Sequence, residues 1–210
     1  MKLLLIPLLA IILSCSVGDA TQLVYDTEGH ELMSNSSYYI LPAEEGGNGS
    51  GLVMSYEWRR CNYFVAQVQG KPKDGIPVVF QPSKDSLFSA VAVPLSTDVM
   101  ITFHINTVCV QFMFWHISDE SPSSTASSPP RQHVAAGKDE DADMPFPPTP
   151  DMLFRIERHD GETKGYKLVF CGNGTGPCEN LGLHAFKGEN WLTTSASPLV
   201  VVFKKDHRYE

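Results

Sequence analysis

The sequence predicts an all-β domain, a barrel or a sandwich, on three observations. Twelve short apolar or alternating segments recur along the chain, bounded by Gly, Pro and Asn. No segment keeps a helical period through three turns. Residues 21–210 are enough for one domain with a sizeable core.

Ahead of that domain, Lys2 is followed by an apolar run from Leu3 to Leu13, broken only by Pro7, and then by small residues up to Ala20. The run is too short to span a bilayer and has the charge, apolar centre and small-residue exit of a secretory signal. Gly18 and Ala20 suit a cleavage site, so residues 1–20 are expected to leave and the product to be secreted or vacuolar. Leu13-Ser14-Cys15 is only a weak match to a bacterial lipidation site. No other apolar run approaches membrane length, so no membrane partner is expected.

The first β element lies in 24–41. Thr27-Glu28-Gly29 separates two short apolar runs, with Gly29 free to take positive φ, and Tyr38 to Leu41 is aromatic and β-prone before Pro42. It reads as a first hairpin. Strand-like segments follow at 52–56, 62–69, 76–80, 87–93, 99–105 and 108–117. Asn62 to Gln69 runs close to period two. After a break come 152–158, 166–171, 180–186, 191–194 and 198–204, the last a Val-rich run of the buried type. Pro77 to Phe80, Tyr166 to Phe170 and Leu199 to Phe203 end alike, a faint internal repeat that good strand formers alone could produce.

The break, Ser118 to Pro150, is proline-rich, starts with Ser and Thr, and carries the acidic run Asp139-Glu140-Asp141-Ala142-Asp143. That composition buries little apolar surface and reads as a mobile, disordered insertion between two strands. Asp139, Asp141 and Asp143 start a calcium-loop spacing, but Met144 stands where the turn Gly is needed and Pro150 where the bidentate Glu is needed. A solvated acidic loop is the better reading. Asn35-Ser36-Ser37, Asn48-Gly49-Ser50 and Asn173-Gly174-Thr175 are glycosylation sequons in predicted turns.

Net charge is -8, and cleavage leaves it unchanged because Lys2 and Asp19 cancel. With no basic stripe, nucleic acid is a disfavoured partner. Beyond Cys15, four cysteines remain, Cys61, Cys109, Cys171 and Cys178, with three possible pairings in an oxidising compartment. A zinc site of Cys171, Cys178 and His184 is disfavoured, because the six-residue gap is wider than zinc knuckles prefer. No cofactor or metal is expected.

An enzyme needs converging groups, and there is no G-x-S-x-G, G-x-G-x-x-G, P-loop or H-E-x-x-H motif. The histidines at 30, 104, 116, 133, 159, 184 and 207 are scattered among strands and loops. Paired thiols would leave no nucleophilic Cys. The chain therefore reads as a protein without catalytic residues.

Val24, Asp26-Thr27-Glu28-Gly29-His30-Glu31-Leu32 and, after a five-residue gap, Tyr38-Tyr39-Ile40 match every position of one N-terminal pattern. On these residues the chain resembles the plant Kunitz-type (soybean trypsin inhibitor-like) family. Leu95 to Val99, Trp115-His116-Ile117, Phe154 to Glu157, Tyr166-Lys167-Leu168 and Val201 to Lys205 make it most similar to the cereal-type bifunctional α-amylase/subtilisin inhibitors. The resemblance implies a β-trefoil of twelve strands with pseudo-threefold symmetry, and disulfides Cys61–Cys109 and Cys171–Cys178. The loop-entropy relation puts the longer bridge at about 4 kcal/mol and the shorter at about 2.5 kcal/mol.

It also implies a secreted inhibitor, monomeric, whose substrate-like loop lies between the fourth and fifth strands. Here that is Gln81 to Ala90, with Pro82, Ser83, Lys84, Asp85, Ser86, Leu87 and Phe88 facing a serine protease. The scissile position falls near Asp85, a poor trypsin anchor, although Lys84 is adjacent. Leu87 and Phe88 suit the apolar primary pocket of a subtilisin-like enzyme, the alternative being that they begin the next strand and face the core. The family's loop-supporting Asn is Ser34 here, with Asn35 beside it.

A second face is implied to meet α-amylase through Ser96, Lys167 and Asn180. Asn180 replaces the family's Asp, and Ser197-Pro198-Leu199 replaces its Glu-Pro-Tyr. Another class of function is a storage or carbohydrate-binding trefoil without inhibitory activity, for which Trp58 and Trp191 are the available aromatic platforms.

Overall fold

The structure, a computed structural model, describes residues 21–44, 50–56, 63–68, 73–83, 90–106, 112–120, 131–137, 147–172 and 176–209. Within them lie twelve strands: β1 Ser37–Pro42, β2 Val53–Tyr56, β3 Tyr63–Gln67, β4 Val78–Pro82, β5 Asp98–Phe103, β6 Trp115–Ser118, β7 His133–Ala136, β8 Phe154–Arg158, β9 Tyr166–Phe170, β10 Glu179–Phe186, β11 Glu189–Ser195 and β12 Val200–Lys205.

Their pairing defines the architecture. Antiparallel ladders β1–β4, β4–β5, β5–β8, β8–β9, β9–β12 and β12–β1 return to their starting strand, closing a six-stranded barrel. The other six strands form three hairpins, β2–β3, β6–β7 and β10–β11. The second strands of those hairpins, β3, β7 and β11, pair with one another in a triangle. Each run of four strands thus gives its outer two to the barrel and its inner two to a capping hairpin, three times over. This is a β-trefoil.

Alternation along each barrel strand sends one face inward. Ile40 lies opposite Phe203, Phe80 opposite Ile101 and Ile156 opposite Leu168, and all six are buried. Phe80 meets Phe203 edge-on at 5.1 Å, and Trp115 sits between Phe103 at 5.3 Å and Phe154 at 6.3 Å. Each such side chain contributes about 1.5–3 kcal/mol by leaving water. A second cluster, Phe64, Ala66, Ala135 and Trp191, gathers where β3, β7 and β11 meet. Val65 belongs to the main core while its neighbours Phe64 and Ala66 do not, so the hairpin triangle is apolar on both faces.

Three sequence expectations change. The insertion expected over 118–150 is interrupted by β7, all four of whose residues are buried. β7 is short and lies between segments of different composition, yet it pairs with β3, β6 and β11. Tertiary pairing overrides local composition there. The rest of that stretch at 121–130 and 138–146, including the acidic run, lies outside the described residues. The strand expected at 87–93 is, over its described part, a single bridge between Met33 and Ala92. The chain there pairs with the extended N-terminal segment instead: Val24 N–H donates to Val93 O at 3.0 Å and Val93 N–H to Leu32 O at 2.8 Å.

The hairpin expected over 24–41 closes earlier than its second apolar run. Tyr25 bridges Glu31, while Tyr38 to Leu41 joins β12 and β4 in the barrel. Asp26 Oδ1 accepts from the backbone N–H of both Glu28 and His30 at 2.9 Å, and Gly29 takes φ +82°. Of the three similar strand endings, those of β4 and β12 hold equivalent places as fourth strands of their units; Tyr166 to Phe170 is a first strand.

Candidate functional site

β4 ends at Pro82, which is buried and opposite Val99, and Ser83 N–H donates to Asp98 O at 2.9 Å. The chain returns to described positions at Ala90. Ser34 N–H donates to Val91 O at 2.9 Å, and its hydroxyl accepts from Val91 N–H at 3.1 Å. Six residues, 84–89, therefore run between two pinned ends, one on β5 and one on the N-terminal segment. Lys84, Asp85, Ser86, Leu87 and Phe88 lie outside the described residues; Pro82 and Ser83 form the near base. At the far base, the Ser34 hydroxyl holds Val91.

The N-terminal segment is itself fastened. Met33 N–H donates to the Tyr38 hydroxyl at 2.9 Å, and Tyr25 N–H to the Tyr166 hydroxyl at 3.0 Å. Both tyrosines are buried, so the segment behind Val91 is tied to barrel strands β1 and β9.

The second set of residues gathers around Glu157 on β8. Ser96 N–H donates to Ile156 O at 2.9 Å, and Ser96 shares a shallow concavity with Gln22, Leu95, Glu157, Arg158 and Asp160. Ser96 sits in the left-handed region at φ +56°, an uncommon conformation for a non-glycine residue. Lys167 on β9 lies opposite Glu157, and its Nζ is 3.2 Å from the carboxylate. Asn180 on β10 lies opposite Val169, hence diagonal to Lys167 at about 7–8 Å between backbones. Arg155, one alternation back from Glu157, pairs with Asp98 at 2.6 Å. The structure thus brings Ser96, Lys167 and Asn180 to one outward face and adds Glu157, which the sequence reading did not single out. Its signal was the alternation of β8, with Arg155 and Glu157 outward between buried Phe154 and Ile156. Ser197 adjoins this face, its N–H donating at 3.2 Å to the hydroxyl of Ser195, which lies opposite Asn180; Leu199 instead packs against the main core, with its N–H donating to Leu181 O at 2.9 Å.

Cys171 and Cys178 are bonded to each other, as expected, and so are not available to zinc with His184. Cys61 and Cys109 lie outside the described residues, as does Trp58. Trp191, the other aromatic platform considered for sugar, is buried in the second cluster with its indole N–H donating to Phe186 O at 3.1 Å. It therefore presents no open face for stacking. Among the described residues, no three His, Cys, Asp or Glu side chains converge on a metal position.

A closed barrel capped by three hairpins, with both described ends of the β4–β5 connection hydrogen-bonded and a separate charged face, belongs to the class of β-trefoils. A family model described as "Trypsin and protease inhibitor", the legume Kunitz model, matches residues 24–205. The chain belongs to this family. It is 40% identical over 211 residues to an α-amylase/subtilisin inhibitor of Oryza sativa subsp. japonica, covering 98% of this chain and 94% of that one. It is 39% identical over 186 residues to an endogenous α-amylase/subtilisin inhibitor of Triticum aestivum, covering 87% of this chain and 96% of that protein. The solved structure of a rice bifunctional α-amylase/subtilisin inhibitor superposes with TM-score 0.67 at 35% identity, over 89% of this chain and 100% of its own.

Proposed function

We propose that this chain is a non-catalytic, secreted, monomeric inhibitor that blocks a subtilisin-like serine protease with the segment from Pro82 to Phe88. The observation that carries the reading is the two-ended anchoring of residues 84–89, at Ser83 on Asp98 and at Val91 on Ser34. An inhibitor of this kind enters the protease cleft as a substrate does. Anchored ends reduce the ordering cost of binding, so an interface of about 1,600 Å² can hold tightly. The protease's own nucleophile and oxyanion hole perform the acylation. A leaving amine kept nearby by its anchored base then competes with water for the acyl-enzyme, and the bond re-forms.

A second, weaker activity toward α-amylase is proposed for the Ser96, Lys167 and Asn180 face. Lys167 would meet acidic groups of the amylase cleft as a point charge, which requires it to exchange its contact with Glu157 for the new partner. That exchange costs little, because exposed and half-exposed ion pairs are worth about 0–1 kcal/mol. The curated relatives named as α-amylase/subtilisin inhibitors support the pairing of both targets in one chain. A panel of subtilisin, chymotrypsin, trypsin and α-amylase tests it. Subtilisin inhibited most strongly, with measurable amylase inhibition, is the expected pattern; a folded protein that inhibits none of them refutes the proposal.

A further inference from the structure

Of the three sequon asparagines, Asn35 is the one among the described residues. Asn35 is exposed in the turn that precedes β1, where Ser36 N–H donates to Met33 O at 3.2 Å. Asn48 and Asn173 lie outside the described residues. Asn35 directly follows Ser34, whose backbone and hydroxyl hold Val91 at the far base of the protease-facing segment. Sequence-neighbouring Cα atoms are about 3.8 Å apart and cross-paired ones about 5 Å, which places Asn35 within about 9 Å of Val91 along that path. A standard interface of about 800 Å² per partner is a patch of roughly 16 Å radius. A group on Asn35 therefore stands inside any such patch centred on the far base at Val91.

We infer that Asn35 is an N-glycosylation site and that its glycan stands beside the far base of the protease-facing segment, at Ser34 and Val91, so that occupancy governs protease docking. The inference rests on the loop reading above. The acceptor pattern is complete, with Ser36 in the middle position and a Ser37 hydroxyl two residues on. Ser37 is buried in the folded barrel strand, so transfer must precede the docking of β1. In that transfer the Asn35 side-chain nitrogen bonds to the first sugar's anomeric carbon as the bond from that carbon to a lipid-linked diphosphate breaks. The diphosphate leaves with the bonding electrons, and the amide proton passes to a base of the transferase. Once folded, the glycan projects from the turn and sweeps the space a protease must enter. It crowds the rim without touching the half-buried loop anchors, so it slows association more than it speeds dissociation.

The test uses the full chain secreted from a eukaryotic host, its Asn35→Gln variant from the same host, and the wild-type chain made in bacteria. Asn35→Gln retains both other sequons, so any difference between the two secreted proteins comes from position 35. Intact mass before and after amidase release is expected to show one glycan fewer in the variant. Association with subtilisin is expected to be at least tenfold slower for wild type glycosylated at Asn35 than for either form that lacks a glycan there, at equal thermal midpoints. An unmodified Asn35, or equal association rates at full occupancy, overturns the inference. If neither form lacking a glycan at Asn35 inhibits subtilisin, the loop reading fails and takes the regulatory role with it, while the mass still decides occupancy.

Discussion

Replacing Ser34 with Ala removes the hydroxyl that accepts the Val91 N–H at 3.1 Å and leaves the reciprocal backbone bond, Ser34 N–H to Val91 O at 2.9 Å, in place. Both residues are half-buried, so water replaces the lost acceptor only in part. Losing a neutral hydrogen bond of this kind costs about 1 kcal/mol. If that loss falls wholly on the ordering of the loop's far base, the inhibition constant against subtilisin rises about fivefold, since 1.4 kcal/mol corresponds to a factor of ten. Ser34→Thr keeps a hydroxyl and is expected to keep wild-type inhibition. The assay is slow-binding inhibition with unglycosylated protein, read together with the rate at which excess protease cuts between residues 84 and 89. Faster cutting and weaker inhibition in Ser34→Ala, both restored in Ser34→Thr, are the expected results. A variant that loses about 1 kcal/mol of stability by urea unfolding while inhibition and cutting stay at wild-type values would refute the reasoning, because the bond would then serve the fold and not the loop.

Further outcomes follow from the same geometry. Replacing Leu87 and Phe88 together with Gly is expected to abolish subtilisin inhibition and leave amylase inhibition intact, as a panel of both enzymes would show; unchanged subtilisin inhibition would remove this loop from the account. Lys167→Ala is expected to weaken amylase inhibition at least tenfold, to leave subtilisin inhibition unchanged, and to alter stability by less than about 1 kcal/mol, because only a half-exposed pair with Glu157 is lost. Burial holds the His133 imidazole below its ordinary pKa, assisted by the charges of His184 and Arg131 and opposed by a hydrogen bond to the Arg131 backbone. Folding therefore favours neutral His133, and its stabilising contribution is full above about pH 6.5 and declines as pH falls through the depressed folded value. His116 on β6, two residues before Ser118, which lies opposite His133, shares the His133 face of the β6–β7 hairpin, and Glu189 lies along β11. Urea midpoints of wild type and His133→Phe are expected to diverge as pH is lowered from 8 to 5, with wild type losing more; parallel curves would contradict this.

Local chemistry made some of the fold legible in the sequence. Gly29 announced its turn because that place needs a positive φ, which does not depend on distant chain, whereas the Asp26 carboxylate that caps two N–H groups of the same turn was not singled out. Eleven of the twelve strands coincide with apolar or alternating segments. β7 was hidden because it lies inside a proline-rich, Ser-rich and acidic stretch, and its stability comes from three partner strands. The hairpin triangle, apolar on both faces, could not be told from an ordinary one-sided sheet, since Phe64 and Val65 look alike in sequence yet enter different clusters. At the candidate site, Ser96, Lys167 and Asn180 were found by resemblance. Glu157 was not singled out, because only the β8–β9 register sets it against Lys167. Ser34 read as a loss of the family's Asn, whereas its hydroxyl is placed to hold Val91. A hydroxyl and an amide are interchangeable acceptors when the backbone donor is close enough.

The most direct test of the central claim is a titration of active-site-counted subtilisin with the unglycosylated chain, followed over hours by mass spectrometry. The account predicts a one-to-one end point, with the chain recovered intact or in slow equilibrium with a single cut between residues 84 and 89. Progressive digestion across that segment with full recovery of protease activity would contradict it.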